Sequence, residues 1–167
     1  MRGRHRTVGW VVSAVAATLV LTACGGGDST PSRPSTSLPS VAATDGPEHF
    51  VRRWLADQQR MQVTGRTAPY VAANRRCEEC RTLAHFVHSY YAAGGFIRGG
   101  AYRIRSIDYT PSQDGGIVTV HAQSAPETIR TSSAKPVHHF KARRVVLYLR
   151  LAPKGGGSFE VVSSTSG

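Results

Sequence analysis

The chain has 167 residues, a length that supports one domain of common size with its own core. Its 21 lysines and arginines against 10 acidic residues give a net charge of +11, which favours an anionic partner. The sequence contains no glycine-rich phosphate loop, nucleophile elbow or acidic metal loop, so its motifs indicate no cofactor, no metal and no reaction class.

The first 24 residues have the layout of a bacterial lipoprotein signal. Three arginines precede an uncharged stretch, residues 8–21, and the sequence Leu-Thr-Ala-Cys ends at Cys24. Such signals are removed, so we expect residues 1–23 to be cleaved and Cys24 to carry lipid. The alternative, an uncleaved anchor, needs about 20 apolar residues, more than this stretch supplies. We therefore predict a protein of the cell membrane, held by its lipid on the extracytoplasmic face.

Residues 24–45 are rich in Gly, Ser, Thr and Pro and have almost no large apolar side chain. Such a composition cannot bury enough surface to offset the entropy of ordering, so we predict a disordered tether. Loss of the three signal arginines lowers the net charge of the mature chain from +11 to +8. This balance favours anionic lipid or a polyanionic cell-wall polymer as partner. The export signal argues against nucleic acid, and we expect none.

Helical spacing dominates the first half of the predicted domain, residues 46–167. The first helix begins after Asp45, has Pro47 and Glu48 in its first turn and ends at Gly65. A short second helix is predicted over residues 67–73, and a third ends at Gly94-Gly95. The apolar positions are Phe50, Trp54, Leu55 and Met61 in the first helix and Leu83, Phe86, Val87, Tyr90 and Tyr91 in the third.

Cys77 and Cys80 are the two cysteines that remain when Cys24 is lipidated. Outside the cytoplasm thiols this close are expected to oxidise, so we predict a structural disulfide. Two alternatives stay open. A Cys-x-x-Cys pair at a helix N-terminus can be redox-active, and His85 with His88 on the same helix would complete four ligands of the types that zinc prefers.

Alternation replaces helical spacing after Gly100, which predicts antiparallel strands. We expect strands over residues 101–110, with a bulge near Arg105, and over 117–123, 140–151 and 159–163, with a turn at 114–116. Residues 126–136 are predicted as an irregular connection able to hold a short ribbon. Helices followed by a meander of about four strands predict an α+β domain, with the helices packed on one face of the sheet.

A resemblance to a known family rests on residues 46–65, on Cys77-Glu78-Glu79-Cys80 and on residues 90–100 with their two glycine pairs. In these segments the chain is similar to the actinobacterial lipoproteins grouped as domain of unknown function family 6318. The resemblance implies a nuclear-transport-factor-two-like cone of cystatin type, three helices wrapped by a curved antiparallel sheet. It also implies lipid on Cys24 and pairing of Cys77 with Cys80. It names no reaction, and it leaves a monomer or a dimer open.

The hollow of such a cone offers a place for a ligand or a reaction. The titratable residues considered are Asp57, Tyr90, Tyr91, Tyr102, Asp108 and His121, of which Tyr90, Tyr102, Asp108 and His121 are the pocket candidates. No two of them form a recognisable acid and base pair, so we predict no catalytic residue. The expected function is a non-catalytic binding or interaction module of the cell envelope. The alternative is a small-molecule-binding or proton-transfer enzyme that uses the hollow.

A basic segment, residues 138–144, favours such a module. Its charged and titratable members are His138, His139, Lys141, Arg143 and Arg144. A hairpin that presents them could lie on anionic headgroups, where each lysine or arginine contributes about 1 kcal/mol. The histidines would tighten that binding below about pH 6.5. Contact with an envelope protein through Trp54 or Phe96 is a further option.

Overall fold

The structure, a computed structural model, describes residues 46–167. The predicted signal peptide at 1–23, Cys24, the tether over 24–45 and the expected capping residue Asp45 lie outside the described residues. Within 46–167 the helices come first and the strands follow. They are α1 Pro47–Thr64, α2 Ala68–Ala73, α3 Glu78–Ala92, β1 Phe96–Gly99, β2 Tyr102–Ser112, β3 Gly115–Ser124, β4 Glu127–Arg130, β5 His138–Phe140, β6 Arg143–Lys154 and β7 Ser158–Ser166. None of the helices in this range has the length and apolar character of a membrane span.

The strands form two antiparallel sheets, so the predicted α+β class is confirmed. One sheet has the order β2-β3-β6-β7 and the other the order β1-β4-β5. Residues 46–167 contain seven strands, three more than the four or so predicted. The sequence pattern does not reveal β1, and β4 lies within the predicted connection over 126–136. The predicted strand over 140–151 divides at Lys141–Ala142 into the end of β5 and the start of β6.

The chain passes between the two sheets three times, at Gly100–Ala101, Ala125–Pro126 and Lys141–Ala142. Backbone hydrogen bonds join two of these passages. The Gly100 N–H donates to the Pro126 carbonyl at 3.1 Å, and the Ala125 N–H donates to the Ala101 carbonyl at 2.8 Å. We call the line formed by the three passages the crease. Each strand of the three-stranded sheet is joined directly to one strand of the other sheet across the crease: β1 to β2, β4 to β3 and β5 to β6.

The core lies between the helices and one face of the four-stranded sheet. Because side chains alternate along a strand, every second residue of β3 and β6 faces the helices. The helices meet this face with a stripe of residues three and four apart. The fully or nearly buried members are Val51, Trp54, Leu55 and Met61 of α1, Cys80, Ala84 and Val87 of α3, Val118, Val120 and Ala122 of β3, and Val145, Leu147, Leu149 and Leu151 of β6.

Two local predictions have different outcomes. The bulge near Arg105 is confirmed, since the pairing of β2 with β3 shifts register between Ile104 and Ser106. The placement of Phe86 on the apolar face of α3 is wrong, because its side chain is 51% exposed. The core-facing stripe of α3 passes through Ala84 and Val87. Phe86 precedes Val87 by one residue and is therefore turned about 100° away from it.

The predicted disulfide between Cys77 and Cys80 is present. Both cysteines are almost fully buried, and the Cys77 Sγ accepts a hydrogen bond from the Cys80 N–H at 3.1 Å, at the start of α3. A bonded pair has no thiolate to offer a metal, and His85 and His88 are exposed on the same helix. The residues described hold no group of metal-ligating side chains, so the four-ligand zinc set is not assembled.

Candidate functional site

The core-facing side of the four-stranded sheet becomes polar at the crease. The last apolar row across β2, β3 and β6 consists of Ile104, Ala122 and Val145. The next row on the same face, two residues further along each strand, consists of Tyr102, Ser124 and Arg143. Side chains of successive rows with this spacing point the same way. The alternation that builds the core therefore brings a phenol, a hydroxyl and a guanidinium to the interior side of the crease.

A carboxyl group joins this row from the other side of the crease. Glu127 is the first residue of β4 and pairs with Gly99 of β1. Gly99 and Gly100 both have left-handed backbones, with φ of +78° and +77°. A Cβ on Gly100 would lie 2.7 Å from the Glu127 Oε1. The Glu127 carboxyl group thus lies against the backbone of Gly100, and a side chain at position 100 would displace it.

These groups line one pocket of about 300 Å³. α1 supplies Gln62 on one side, and Phe140 at the end of β5 and Lys141 directly after it lie on another. Tyr102, Ser124, Glu127 and Arg143 complete the polar part of the lining, and Ile129 contributes apolar surface. We call this cavity the crease pocket. It holds one carboxyl, one phenol and two cationic side chains.

Burial and charge act in opposite directions on the carboxyl group. Burial raises the pKa of Glu127 above its ordinary value, and the charge of Arg143 partly offsets this rise. Burial also raises the pKa of Tyr102, and the nearby Glu127 raises it further. Within residues 46–167 the Glu127 carboxylate has no hydrogen bond or ion pair. The pocket therefore holds a half-buried carboxylate acceptor that is open to a ligand, since no group of residues 46–167 donates a hydrogen bond to it.

The raised pKa of Glu127 predicts how a substitution changes stability with pH. The folded state binds this proton more tightly than the unfolded state, so burial of the carboxyl group costs nothing below its unfolded pKa. The cost develops as the pH rises through the folded pKa. Glu127→Gln should remove it, so the free energy of unfolding of the variant, relative to wild type, should increase between pH 4 and pH 7. Chemical denaturation across this range measures the change.

Asp108→Asn is the control for this experiment, because Asp108 is exposed and its Oδ2 accepts a hydrogen bond from the Ser106 hydroxyl at 3.1 Å. It should not show the same relative gain. If Glu127→Gln instead lost stability relative to wild type as the pH rose, the carboxylate would be favourably paired in the folded protein. The open acceptor described above would then not exist.

The four predicted pocket residues do not meet. Tyr102 lines the crease pocket. Tyr90 is half-buried against the core, while Asp108 and His121 are exposed. His121 belongs to the outer row of β3, opposite the core-facing Val120 and Ala122, so strand alternation turns it away from the helices.

The basic segment 138–144 also divides. Lys141 and Arg143 line the crease pocket, whereas Arg144 lies on the outer face of the sheet and pairs in register with Gln123. His138 and His139 are exposed on β5 of the other sheet. These five residues therefore do not form one surface, because successive residues of a strand point to opposite faces.

Two other hollows, each of about 430 Å³, lie away from the crease. One is on the outer face of the four-stranded sheet and is lined by Arg105, His121 and Arg144, with no acidic residue among its lining. The other lies between α1 and α2. There the Trp54 Nε1–H already donates to the Asn74 Oδ1 at 2.7 Å, and Arg60 is paired with Asp57. Of the three, the crease pocket alone is lined by a half-buried carboxylate that has no hydrogen bond or ion pair within residues 46–167, with two cationic side chains beside it.

Sequence reasoning did not identify Glu127, Gln62 or Ser124 as site residues. The sequence does contain a signal for Ser124 and Arg143. Every second residue is apolar at Val118, Val120 and Ala122, and Ser124 is the next position of that series. Every second residue is likewise apolar at Val145, Leu147 and Leu149, and Arg143 is the position before that series. Glu127 gave a weaker signal, as the one acidic residue of the connection between two strands.

Comparisons with known proteins give likeness of fold alone. A scan against protein-family models finds no match, and a search of curated proteins finds none. The resemblance to the lipoprotein family therefore has no support from them and stays a prediction. Among solved structures, the intermembrane space region of chloroplast protein ARC6 is 11% identical, with a TM-score of 0.49, over 71% of this chain and 92% of that chain.

Two further solved structures are similar at the same level. Nuclear transport factor 2 from Cryptosporidium parvum is 14% identical with a TM-score of 0.42, over 71% of this chain and 91% of that chain. An Ntf2-like protein with a cystatin-like fold from Novosphingobium aromaticivorans is 10% identical with a TM-score of 0.41, over 71% of this chain and 79% of that chain. The three helices and the antiparallel sheets of residues 46–167 agree with that fold type. Similarity at this level concerns the fold and gives no information on activity.

Proposed function

We propose that the chain is an extracytoplasmic lipoprotein, anchored in the cell membrane through lipid on Cys24, whose domain binds a small polar molecule in the crease pocket. The ligand carries an anionic group and a hydrogen-bond donor, as an α-amino acid or an α-hydroxy acid does. The observation that carries the proposal is the convergence of Tyr102, Glu127 and Arg143 on one pocket at the crease.

The chemistry of the lining defines this class of ligand. Arg143 and Lys141 are cations that attract a carboxylate or another anion, and a guanidinium can hold a carboxylate with two hydrogen bonds. The unpaired Glu127 carboxylate accepts from an ammonium or hydroxyl group of the same molecule. A ligand that satisfies both ends gives the half-buried Glu127 carboxylate a partner, whereas an apolar ligand would cover this carboxylate without supplying one.

Proton transfer is the second candidate function, and the raised pKa of Glu127 favours it. A carboxyl group whose pKa is raised is a better general base than an ordinary one, and Glu127 lies near enough to Tyr102 to raise the pKa of that phenol. Binding ranks first because the two cations beside the carboxyl group match a ligand that carries an anionic group, whereas proton transfer is favoured by the pKa of Glu127 alone. Glu127→Gln separates the two functions: it weakens affinity in a binding protein, and it abolishes turnover of a ligand that still binds in an enzyme.

A thermal-shift experiment with two adjacent arginines tests the pocket. A panel of α-amino acids and α-hydroxy acids is added to wild type, to Arg143→Gln and to Arg144→Gln. The two variants lose the same charge one residue apart, but Arg143 faces the pocket and Arg144 faces the opposite side of the sheet. At least one compound should raise the unfolding temperature of wild type and of Arg144→Gln, and have little effect on Arg143→Gln. A panel without any effect on wild type, or equal shifts in both variants, would contradict the proposal.

The anchor is tested separately with Cys24→Ser. The lipid contributes about 0.8 kcal/mol per buried CH₂, so its loss should move the protein from the membrane fraction to the soluble fraction of cells. Metabolic labelling with a fatty-acid analogue should label wild type and leave Cys24→Ser unlabelled. Thr22→Ser, a change beside the cleavage site that keeps the cysteine, is the control and should still be labelled. A label that persists in Cys24→Ser would disprove the anchor without affecting the pocket.

A further inference from the structure

The face of the three-stranded sheet that points away from Ile97 carries two arginines around one aromatic ring. The Arg98 Cζ lies 4.5 Å from the centroid of the Phe96 ring, and the Arg130 Cζ lies 5.0 Å from it. Phe96 and Arg98 are two residues apart on β1, and Arg130 pairs with Phe96 across the ladder, so all three share a face. We call this surface the Phe96 face.

Two neighbours extend the Phe96 face along the same rows. Thr128 of β4 pairs with Arg98 on one side and with His139 of β5 on the other. The Thr128 hydroxyl lies 3.3 Å from the His139 Nδ1. The only acidic residue of this sheet within residues 46–167 is Glu127, which belongs to the opposite face together with Ile97. The Phe96 face is therefore cationic without a compensating carboxylate.

The arginines are held in place but their charges are not neutralised. The Arg130 Nη2 donates to the Gly94 carbonyl at 3.1 Å, and its Nε is buried without a hydrogen-bond partner in the described part of the chain. Arg98 makes no ion pair there. Stacking on a ring fixes the plane of a guanidinium and leaves its N–H edge available. Two like charges on one ring repel each other, and an anion between them removes that repulsion.

We infer that the Phe96 face is a binding site for a phosphate group, held between the guanidiniums of Arg98 and Arg130. Guanidiniums and phosphate form charge-assisted hydrogen bonds of about 2.7 to 2.9 Å, and a phosphate has enough oxygens to engage two arginines at once. Thr128 and His139 stand beside the arginines as further donors. The phosphate belongs either to an anionic phospholipid headgroup or to a soluble phosphate compound. This site is independent of the crease pocket, because Glu127 and the pocket lie on the other face.

The site is tested on the exported chain carrying Cys24→Ser, so that no lipid anchor contributes to binding. The probes are inorganic phosphate, followed by calorimetry, and vesicles of phosphatidylglycerol and phosphatidylcholine, followed by co-sedimentation. Arg98→Gln with Arg130→Gln removes the site. Arg103→Gln with Arg150→Gln removes the same charge from exposed positions on the other sheet. Phe96→Leu keeps an apolar side chain of similar size but removes the ring that positions both guanidiniums.

We expect binding of the affected probe to weaken about tenfold or more in the Arg98 and Arg130 variant. The control variant should change it less than about threefold, and Phe96→Leu should give an intermediate loss at unchanged charge. Loss with vesicles alone assigns the site to a lipid headgroup, and loss with inorganic phosphate assigns it to soluble phosphate. If the double variant folds poorly, Arg98→Gln alone is used, because this substitution breaks no hydrogen bond of residues 46–167. Equal losses in the double variant and its control, or wild type binding neither probe, would overturn the inference.

Discussion

Leu149→Ala should lower the free energy of unfolding by about 2 to 5 kcal/mol, whereas Tyr148→Ala should lower it by less than about 1 kcal/mol. Leu149 is 1% exposed and pairs with the fully buried Val118, so its truncation leaves a cavity in the core. Tyr148, the preceding residue of β6, is 48% exposed on the outer face. Urea denaturation of the two variants, fitted with a common slope, measures the difference.

This comparison also tests the phase of β6, on which the crease pocket depends. Arg143 faces the interior because it is six residues from Leu149 on a strand of period two without a break between them. A shift by one residue would exchange every inward and outward side chain of the strand. If Tyr148→Ala proved the more damaging substitution, Arg144 rather than Arg143 would line the pocket. The proposed function would then fail together with the register.

The sequence predicts well those elements whose signal is periodic and local. The first and third helices of residues 46–167 follow from apolar residues three and four apart, and the bulge at Arg105 follows from a change of phase between Ile104 and Ile107. The disulfide follows from the close spacing of its cysteines together with the predicted export. In none of these cases is knowledge of contacts between distant residues of the fold needed.

The crease could not be predicted in this way. β1 and β5 have four and three residues, too few for alternation to be distinguished from chance. Their pairing partners in β4 lie about 30 and 10 residues away, within a connection that shows no period of its own. Without knowledge of the crease, the proximity of Glu127 to Tyr102 cannot be predicted. The basic segment 138–144 is then interpreted as one surface, although its residues are divided between two sheets.

The residues predicted to contact an anionic surface do not lie together, for the same reason. His138, His139, Lys141, Arg143 and Arg144 are close in the sequence, but strand geometry distributes them over the pocket, the outer face and β5. The Phe96 face instead gathers Arg98 and Arg130, which are 32 residues apart in the sequence numbering. Long-range pairing of β1 with β4 creates that cluster, and no local window of the sequence contains it.

Gly99→Ala should be the most damaging single-methyl change near the pocket, lowering the free energy of unfolding by about 2 to 4 kcal/mol. Gly99 has φ of +78°, a left-handed backbone that costs an L-residue about 1 to 2 kcal/mol. An added Cβ would also overlap the Pro126 carbonyl oxygen, which is backbone and can give way only if the crease opens. Because Gly99 pairs with Glu127, the change should reduce ligand-induced thermal stabilisation as well.

Gly155→Ala is the matched control for this prediction. Gly155 lies in the turn before β7, is not among the glycines with positive φ, and has nothing within 4 Å of an added Cβ. It should change the free energy of unfolding by less than about 0.5 kcal/mol. If Gly99→Ala were as mild as Gly155→Ala, the two sheets would not be held together as closely as the crease requires. The carboxyl group of Glu127 would then be free to leave the pocket and would not be held there as an acceptor for a ligand.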